Sequence, residues 1–209
     1  MKQVKDFIKL FFGLFLYAFG MIMGYQAQFG YAPWDVFHVG VSLQLGISVG
    51  QATILIGFFV LLIVTLLREP FGIGTISNMV FIGIFFDLIL ASKLIPASSS
   101  LPMSFLYALI SMVIVNFATY YYIASGFGAG PRDSLMVLIH RRTGLSLGTV
   151  RRIIEVLVTF FGWLMGGTVW IGTLVFALLT GTIMNLLFPL LHFDPKSIAH
   201  RTLFKGSKK

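Results

Sequence analysis

Few residues in this chain have both the type and the setting to handle a charge or a proton. Asp87 stands between Phe86 and Leu88 in an otherwise apolar stretch. An ionised side chain at membrane depth is costly and faces a partner or a wet cavity, so Asp87 is a candidate for binding a cation or a proton. Asn116 and Asn185 are amides inside other apolar stretches, able to glue helices together or to line a polar path. Asp35 and Asp133 follow Pro33 and Pro131 by two residues. Each is suited to complement the exposed N–H groups at a helix start, and each is also a candidate for the polar path. Arg151 and Glu155 are four apart, the spacing of an ion pair on one helix face. No phosphate-binding Gly-Lys-Ser/Thr loop and no His-Glu-x-x-His string is present. The histidines at 38, 140, 192 and 200 show no ligand spacing, and there is no cysteine. The expectation is no catalytic residue, no metal and no cofactor.

The elements that hold these residues follow from composition. Of 209 residues 57% are hydrophobic and 11% charged, and the mean hydropathy is +0.94. A soluble domain carries about 25% charged residues, so the chain is read as an integral membrane protein and its main partner as the lipid bilayer. The net charge of +8 is concentrated in Lys2, Lys5 and Lys9, in Arg132 to Arg152, and in Lys196, Arg201, Lys205, Lys208 and Lys209. This is the pattern of cytoplasmic loops and of contact with anionic headgroups, not of nucleic-acid binding.

A span needs about 20 mostly apolar residues. Stretches of that kind are expected over 7–27, 52–67, 76–94, 105–124, 150–166 and 171–191, with shorter helices over 34–45 and 132–142. Six spans with both termini cytoplasmic accommodate every basic residue except Lys93, which can snorkel. An eight-span arrangement would split the arginine cluster across the membrane. Gly20 and Gly24 have a small-xxx-small spacing, read chiefly as packing within the monomer and secondarily as a homodimer contact.

The chain repeats itself. Residues 29–87 lie on 127–185 without a gap at an offset of 98, with fifteen identities. Pro33, Asp35, Gly46, Ser48, Gly50 and Gly83 meet Pro131, Asp133, Gly144, Ser146, Gly148 and Gly181, and Asp87 meets Asn185. Matching prolines and glycines mark shared backbone geometry. The prolines suit a first helical turn, Gly46 and Gly144 suit C-caps, and the serines suit the caps of the following helices, with Gly50 and Gly148 in the turn after them. The fold class is therefore an all-α polytopic protein, an inverted 3+3 repeat over 1–98 and 99–195 with a basic tail over 196–209. Each half carries one short re-entrant or interfacial helix, and the two helices differ chemically, because Trp34 becomes Arg132.

Gly30-Tyr31-Ala32-Pro33-Trp34-Asp35-Val36-Phe37 with Gly46-Ile47-Ser48-Val49-Gly50, and Gly128-Ala129-Gly130-Pro131-Arg132-Asp133 with Gly144-Leu145-Ser146-Leu147-Gly148-Thr149, resemble the YczE/YyaS/YitT family of bacterial integral membrane proteins, in its YczE-like branch. The resemblance covers nearly the whole chain. It implies a multi-pass protein of the bacterial cytoplasmic membrane without an established activity. Two functions stand open. One is a transporter or permease for a small polar or ionic substrate. The other is a non-transporting membrane scaffold or accessory factor that supports another cellular system, with a membrane-protein partner.

Overall fold

The computed structural model describes residues 2–195, 198 and 200–203. Eight helices account for most of the described residues: α1 (Lys2–Gln26), α2 (Pro33–Leu45), α3 (Val49–Leu66), α4 (Ile73–Ala91), α5 (Leu101–Ala124), α6 (Pro131–Thr143), α7 (Leu147–Leu164) and α8 (Ile171–Leu190). Five of them, α1, α3, α4, α5 and α8, are long and apolar enough to cross a membrane. α7 is as long as α3 but carries Arg151, Arg152 and Glu155 in its first half. Of the basic tail expected over 196–209, Lys196, Lys205, Lys208 and Lys209 lie outside the described residues.

Local chemistry sets the boundaries. Pro33 and Pro131 open the short helices, where a missing N–H leaves nothing unpaired. Gly46 (φ 64°) and Gly144 (φ 71°) close them in the left-handed conformation that a Cβ disfavours. Ser48 then starts α3 with a capping box. Its hydroxyl accepts from Gln51 N–H at 3.0 Å, and Gln51 Oε1 accepts from Ser48 N–H at 3.0 Å. Ser146 starts α7 by accepting from Thr149 N–H at 3.2 Å.

α1 and α5 form the central pair. A Cβ on Gly13 would stand 2.7 Å from Tyr122 N, one on Gly20 2.8 Å from Val115 Cγ2, and one on Gly24 2.8 Å from Ser111 Oγ. As the α1 number rises the α5 number falls, so the two helices run antiparallel. The Ser111 hydroxyl donates to Gly20 O at 2.7 Å, a bond open only to backbones this close. Gly20 and Gly24 are thus occupied inside the monomer.

The two halves exchange their contacts. Gly172 N–H donates to Phe29 O at 2.7 Å, and Gly74 N–H donates to Phe127 O at 2.9 Å. These are one contact made twice, since 29 matches 127 and 74 matches 172. Helix pairing follows the same rule: α1 packs on α4 as α5 does on α8, and α2 packs on α7 as α6 does on α3. One pairing breaks it. α3 and α4 pack closely, whereas α7 and α8 make no comparable contact.

Polarity is arranged for lipid. Large apolar side chains such as Phe58, Phe59 and Leu62 on α3, Phe160 and Trp163 on α7, and Leu174 and Leu178 on α8 are exposed, while His38, Ser111, Asn116 and Thr173 are buried. The chain is an all-α polytopic membrane protein. At one end of the bundle Arg201 N–H donates to Gly126 O, Leu203 N–H donates to Phe71 O, and the Arg201 guanidinium reaches Asp6 Oδ2 at 3.2 Å. These contacts tie residues 201–203 to the loops there.

Candidate functional site: a charged chamber between the halves

The short helices bring their N-termini toward each other in the interior. Trp34 and Arg132 are repeat mates, and the Arg132 guanidinium carbon lies 4.6 Å from the Trp34 ring centroid. The starts of α2 and α6 therefore meet in the interior. Arg132 Nη2 also lies 2.8 Å from His38 Nε2, and His38 Nδ1 is 3.3 Å from Asp35 Oδ1. A guanidinium has no acceptor. Nε2 therefore accepts, and the ring proton sits on Nδ1, facing Asp35. The result is a chain, Arg132 to His38 to Asp35, that stitches the second half to the first through a fully buried imidazole.

Around this chain lies a chamber of two adjoining lobes, about 150 Å³ and 100 Å³, which share Tyr17, Trp34, Arg132, Arg151 and Glu155. Each lobe is many times the roughly 10–15 Å³ that one water requires. All eight helices contribute to the larger lobe, among them Tyr17, Trp34, Thr53, Asn78, Asn116, Arg132, Glu155 and Thr180. Asp133 lines it too and accepts from the Tyr122 hydroxyl at 2.7 Å. Arg151 Nε donates to Glu155 Oε1 at 2.7 Å. Asn116 Nδ2 donates to Met112 O at 2.8 Å and to Thr180 O at 3.3 Å, joining α5 to α8 at the wall. Among the described residues no carboxylate lies within ion-pair distance of Arg132. Chemically the chamber offers one guanidinium without a carboxylate partner, a neutralised Arg–Glu pair, two aspartates at helix starts and three aromatic faces. Such a surface holds a small polar solute by hydrogen bonds and charge. Among the described residues no cluster of His, Asp and Glu has the arrangement of a metal site.

The sequence candidates divide. Asp35, Asp133 and Asn116 come together around the chamber. Asp87 lies elsewhere: its Oδ1 accepts from Gly50 N–H at 2.9 Å and its Oδ2 accepts from the Ser48 hydroxyl, so it clamps the end of α4 onto the start of α3. Asn185 is exposed on α8 and not bonded to Asp87. Gly46, Gly50, Gly144 and Gly148 sit at the helix junctions and Pro33 and Pro131 at the short-helix starts. The Gly-x-Ser-x-Gly strings around Ser48 and Ser146 are helix caps, and among the described residues no histidine bonds either serine. Sequence reasoning missed the Arg132–His38 contact and the Tyr122–Asp133 bond. The available signal was the exchange of Trp34 for Arg132 at symmetric positions.

The Asp87 clamp yields a contrast. Asp87→Ala leaves Gly50 N–H and the Ser48 hydroxyl without their acceptor, and should cost about 1.5–3 kcal/mol, the range for hydrogen bonds to a charged group. Asn185→Ala, at the symmetric position, should cost close to nothing. Thermal unfolding of the two variants in detergent measures the difference, and equal midpoints would contradict it.

Comparison with known proteins gives relatives but no activity. The model of a family described as "Family of unknown function (DUF6198)" matches residues 4–189. The chain is 36% identical over 181 residues to the uncharacterized membrane protein YczE of Bacillus subtilis (strain 168), covering 86% of this chain and 83% of that one. It is 32% identical over 183 residues to an uncharacterized protein of Haemophilus influenzae, covering 88% and 83%. It is 25% identical over 190 residues to the uncharacterized protein YyaS of Bacillus subtilis, covering 88% and 94%. No solved structure matches.

Proposed function

The chain belongs to the DUF6198 family of unknown function, a family of multi-pass bacterial inner-membrane proteins, and we propose that it works there as a transporter or permease for a small polar or ionic solute, without catalysis. One observation carries the reading: the charged chamber lies between the two halves and is walled by all eight helices. A scaffold has no need of buried charge at membrane depth, where each such group is expensive.

The topology that goes with this reading has six spans, α1, α3, α4, α5, α7 and α8, with α2 and α6 entering the membrane as half-helices whose N-termini point inward. Antiparallel packing of the mates α1 and α5, and the exchanged Gly172–Phe29 and Gly74–Phe127 bonds, support an inverted repeat. Charge supports its orientation. Lys5, Lys9, Arg68, Arg141, Arg142, Arg152 and Arg201 belong to one end of the bundle, and Lys93 stands alone among described basic residues at the other. By the positive-inside rule the first end, with both termini, is cytoplasmic.

The test exploits the absence of natural cysteine. Thr53→Cys and Thr180→Cys each place one thiol on the chamber wall, and Leu147→Cys and Gln44→Cys, both at exposed positions, mark the two ends. A membrane-impermeant thiol reagent should reach Gln44→Cys, exposed at the end of α2, in whole cells and Leu147→Cys only after permeabilisation, and should reach both wall positions from an aqueous side. Wall thiols that stay unlabelled under every non-denaturing condition would sink the transport reading. Leu147→Cys and Gln44→Cys labelled from one side would sink the inverted topology.

A further inference from the structure

The contact that α3 and α4 make, and α7 and α8 lack, is the sharpest departure from symmetry in the molecule. On the first pair, Gly50 and Gly83 bring the two backbones together and Asp87 accepts from Gly50 N–H and the Ser48 hydroxyl. On the second pair, the mates Gly148 and Gly181 have no atom outside their own surroundings within 4 Å of a Cβ position, and Ser146 and Asn185 are exposed. The second pair nonetheless retains both glycines, the serine and a polar residue at the fourth place. Glycine without a neighbour weakens a helix by about 0.5–1 kcal/mol relative to alanine and gains nothing in packing.

Resting on the transport reading above, we propose that Ser146, Gly148, Gly181 and Asn185 are the cytoplasmic gate, which closes by adopting between α7 and α8 the contact that Ser48, Gly50, Gly83 and Asp87 make between α3 and α4. In the arrangement observed, the α3–α4 gate is shut on the far side and the α7–α8 gate is open to the cytoplasm. In the exchanged arrangement Gly148 meets Gly181, and Asn185 Oδ1 accepts from Gly148 N–H and the Ser146 hydroxyl. The side chains permit it. Gly57 leaves room for Met79, 2.8 Å from a Cβ there. Their mates are Glu155 and Ala177, so the large and small partners are swapped and the volume across the seam is kept. Arg152 replaces Ile54 beside the glycine crossing and can lay its stem along the seam with its charge at the interface.

The two clamps differ in strength by design of the acceptor. Asp87 offers two charged oxygens. Asn185 offers one neutral oxygen, and a neutral acceptor makes roughly half the bond of an ionised one. The closed cytoplasmic gate is therefore the less populated one. Asn185→Asp should raise the closed population about tenfold, the ratio expected on exchanging a neutral for a charge-assisted bond.

Cross-linking tests the gate in the whole chain in its native membrane. Ser146→Cys with Asn185→Cys sets the pair at the cytoplasmic gate, Ser48→Cys with Asp87→Cys is the pair already in contact, and Thr180→Cys in either background reports chamber access. Size exclusion of each variant checks the fold. The expected result is fast disulfide formation for the 48–87 pair and slower but complete formation for the 146–185 pair. After the 146–185 link, Thr180→Cys should lose labelling from the cytoplasmic side and gain it from the other. Failure of the 146–185 pair to link, with Thr180→Cys labelled throughout from the cytoplasm, overturns the gate and leaves the wet chamber standing. Linking that leaves cytoplasmic labelling unchanged overturns it as well. Thr180→Cys unreachable from both sides, linked or not, overturns the transport reading and the gate with it.

Discussion

Alanine at Gly50 or Gly83 is expected to break the α3–α4 crossing and lower the yield of monodisperse protein, while alanine at Gly148 or Gly181 leaves the fold intact. A Cβ on Gly50 would collide with Gly83 O and the Asp87 carboxylate, and a Cβ on Gly83 with Gly50 O and the Ile54 side chain. Carbonyl oxygens of two helices cannot swing aside as a side-chain tip can. Overpacking costs about 1–3 kcal/mol, and a backbone clash belongs at the upper end. At Gly148 and Gly181 the added methyl meets open space and gains about 0.5–1 kcal/mol of helix propensity. The same substitution at symmetric positions should therefore change sign. Thermal unfolding in detergent with size exclusion reads both, and Gly50→Ala with the midpoint of Gly148→Ala would refute the argument.

Arg151→Ala is expected to destabilise the protein more than the double variant Arg151→Ala/Glu155→Leu. The Arg151–Glu155 pair lines both lobes at 2.7 Å, with Arg151 one-third exposed and Glu155 15% exposed. Removing one member of a fully buried pair costs about 3–5 kcal/mol, chiefly because the other charge is stranded. With Arg151 one-third exposed, solvent screens part of that, so about 1–3 kcal/mol is expected here. Leucine in place of Glu155 removes the stranded charge and should restore much of the loss. Urea unfolding of the wild type, both singles and the double closes the cycle. A double variant less stable than Arg151→Ala would show that the carboxylate is held by other groups.

The helices were legible because their ends are written in local chemistry. Proline at 33 and 131, glycine at 46 and 144 and serine at 48 and 146 act through their own backbone or the nearest turn, whatever surrounds them. The Arg151–Glu155 bond was legible for the same reason, being four residues long. Asp87 shows the limit. Its apolar neighbours mark a buried or membrane-level carboxylate, but whether it faces a path or a helix start depends on α3, 37 residues away in the chain. Asn185 shares its register and has no such partner, because α7 stands off from α8. The Arg132–His38 bond, 94 residues apart, was hidden in the same way.

The sequence alone determined that the protein is a membrane protein, that it has eight helices, and where its short helices begin and end. Each of these rests on composition, on repeated spacing or on the preferences of single residues. Only the tertiary structure decided which polar groups share the chamber, that Trp34 and Arg132 meet, and that α3 packs on α4 while α7 stands off from α8. The reason is that lipid and protein interior are both apolar. A membrane helix can be hydrophobic on every side, and its periodicity then carries no sign of which face turns inward.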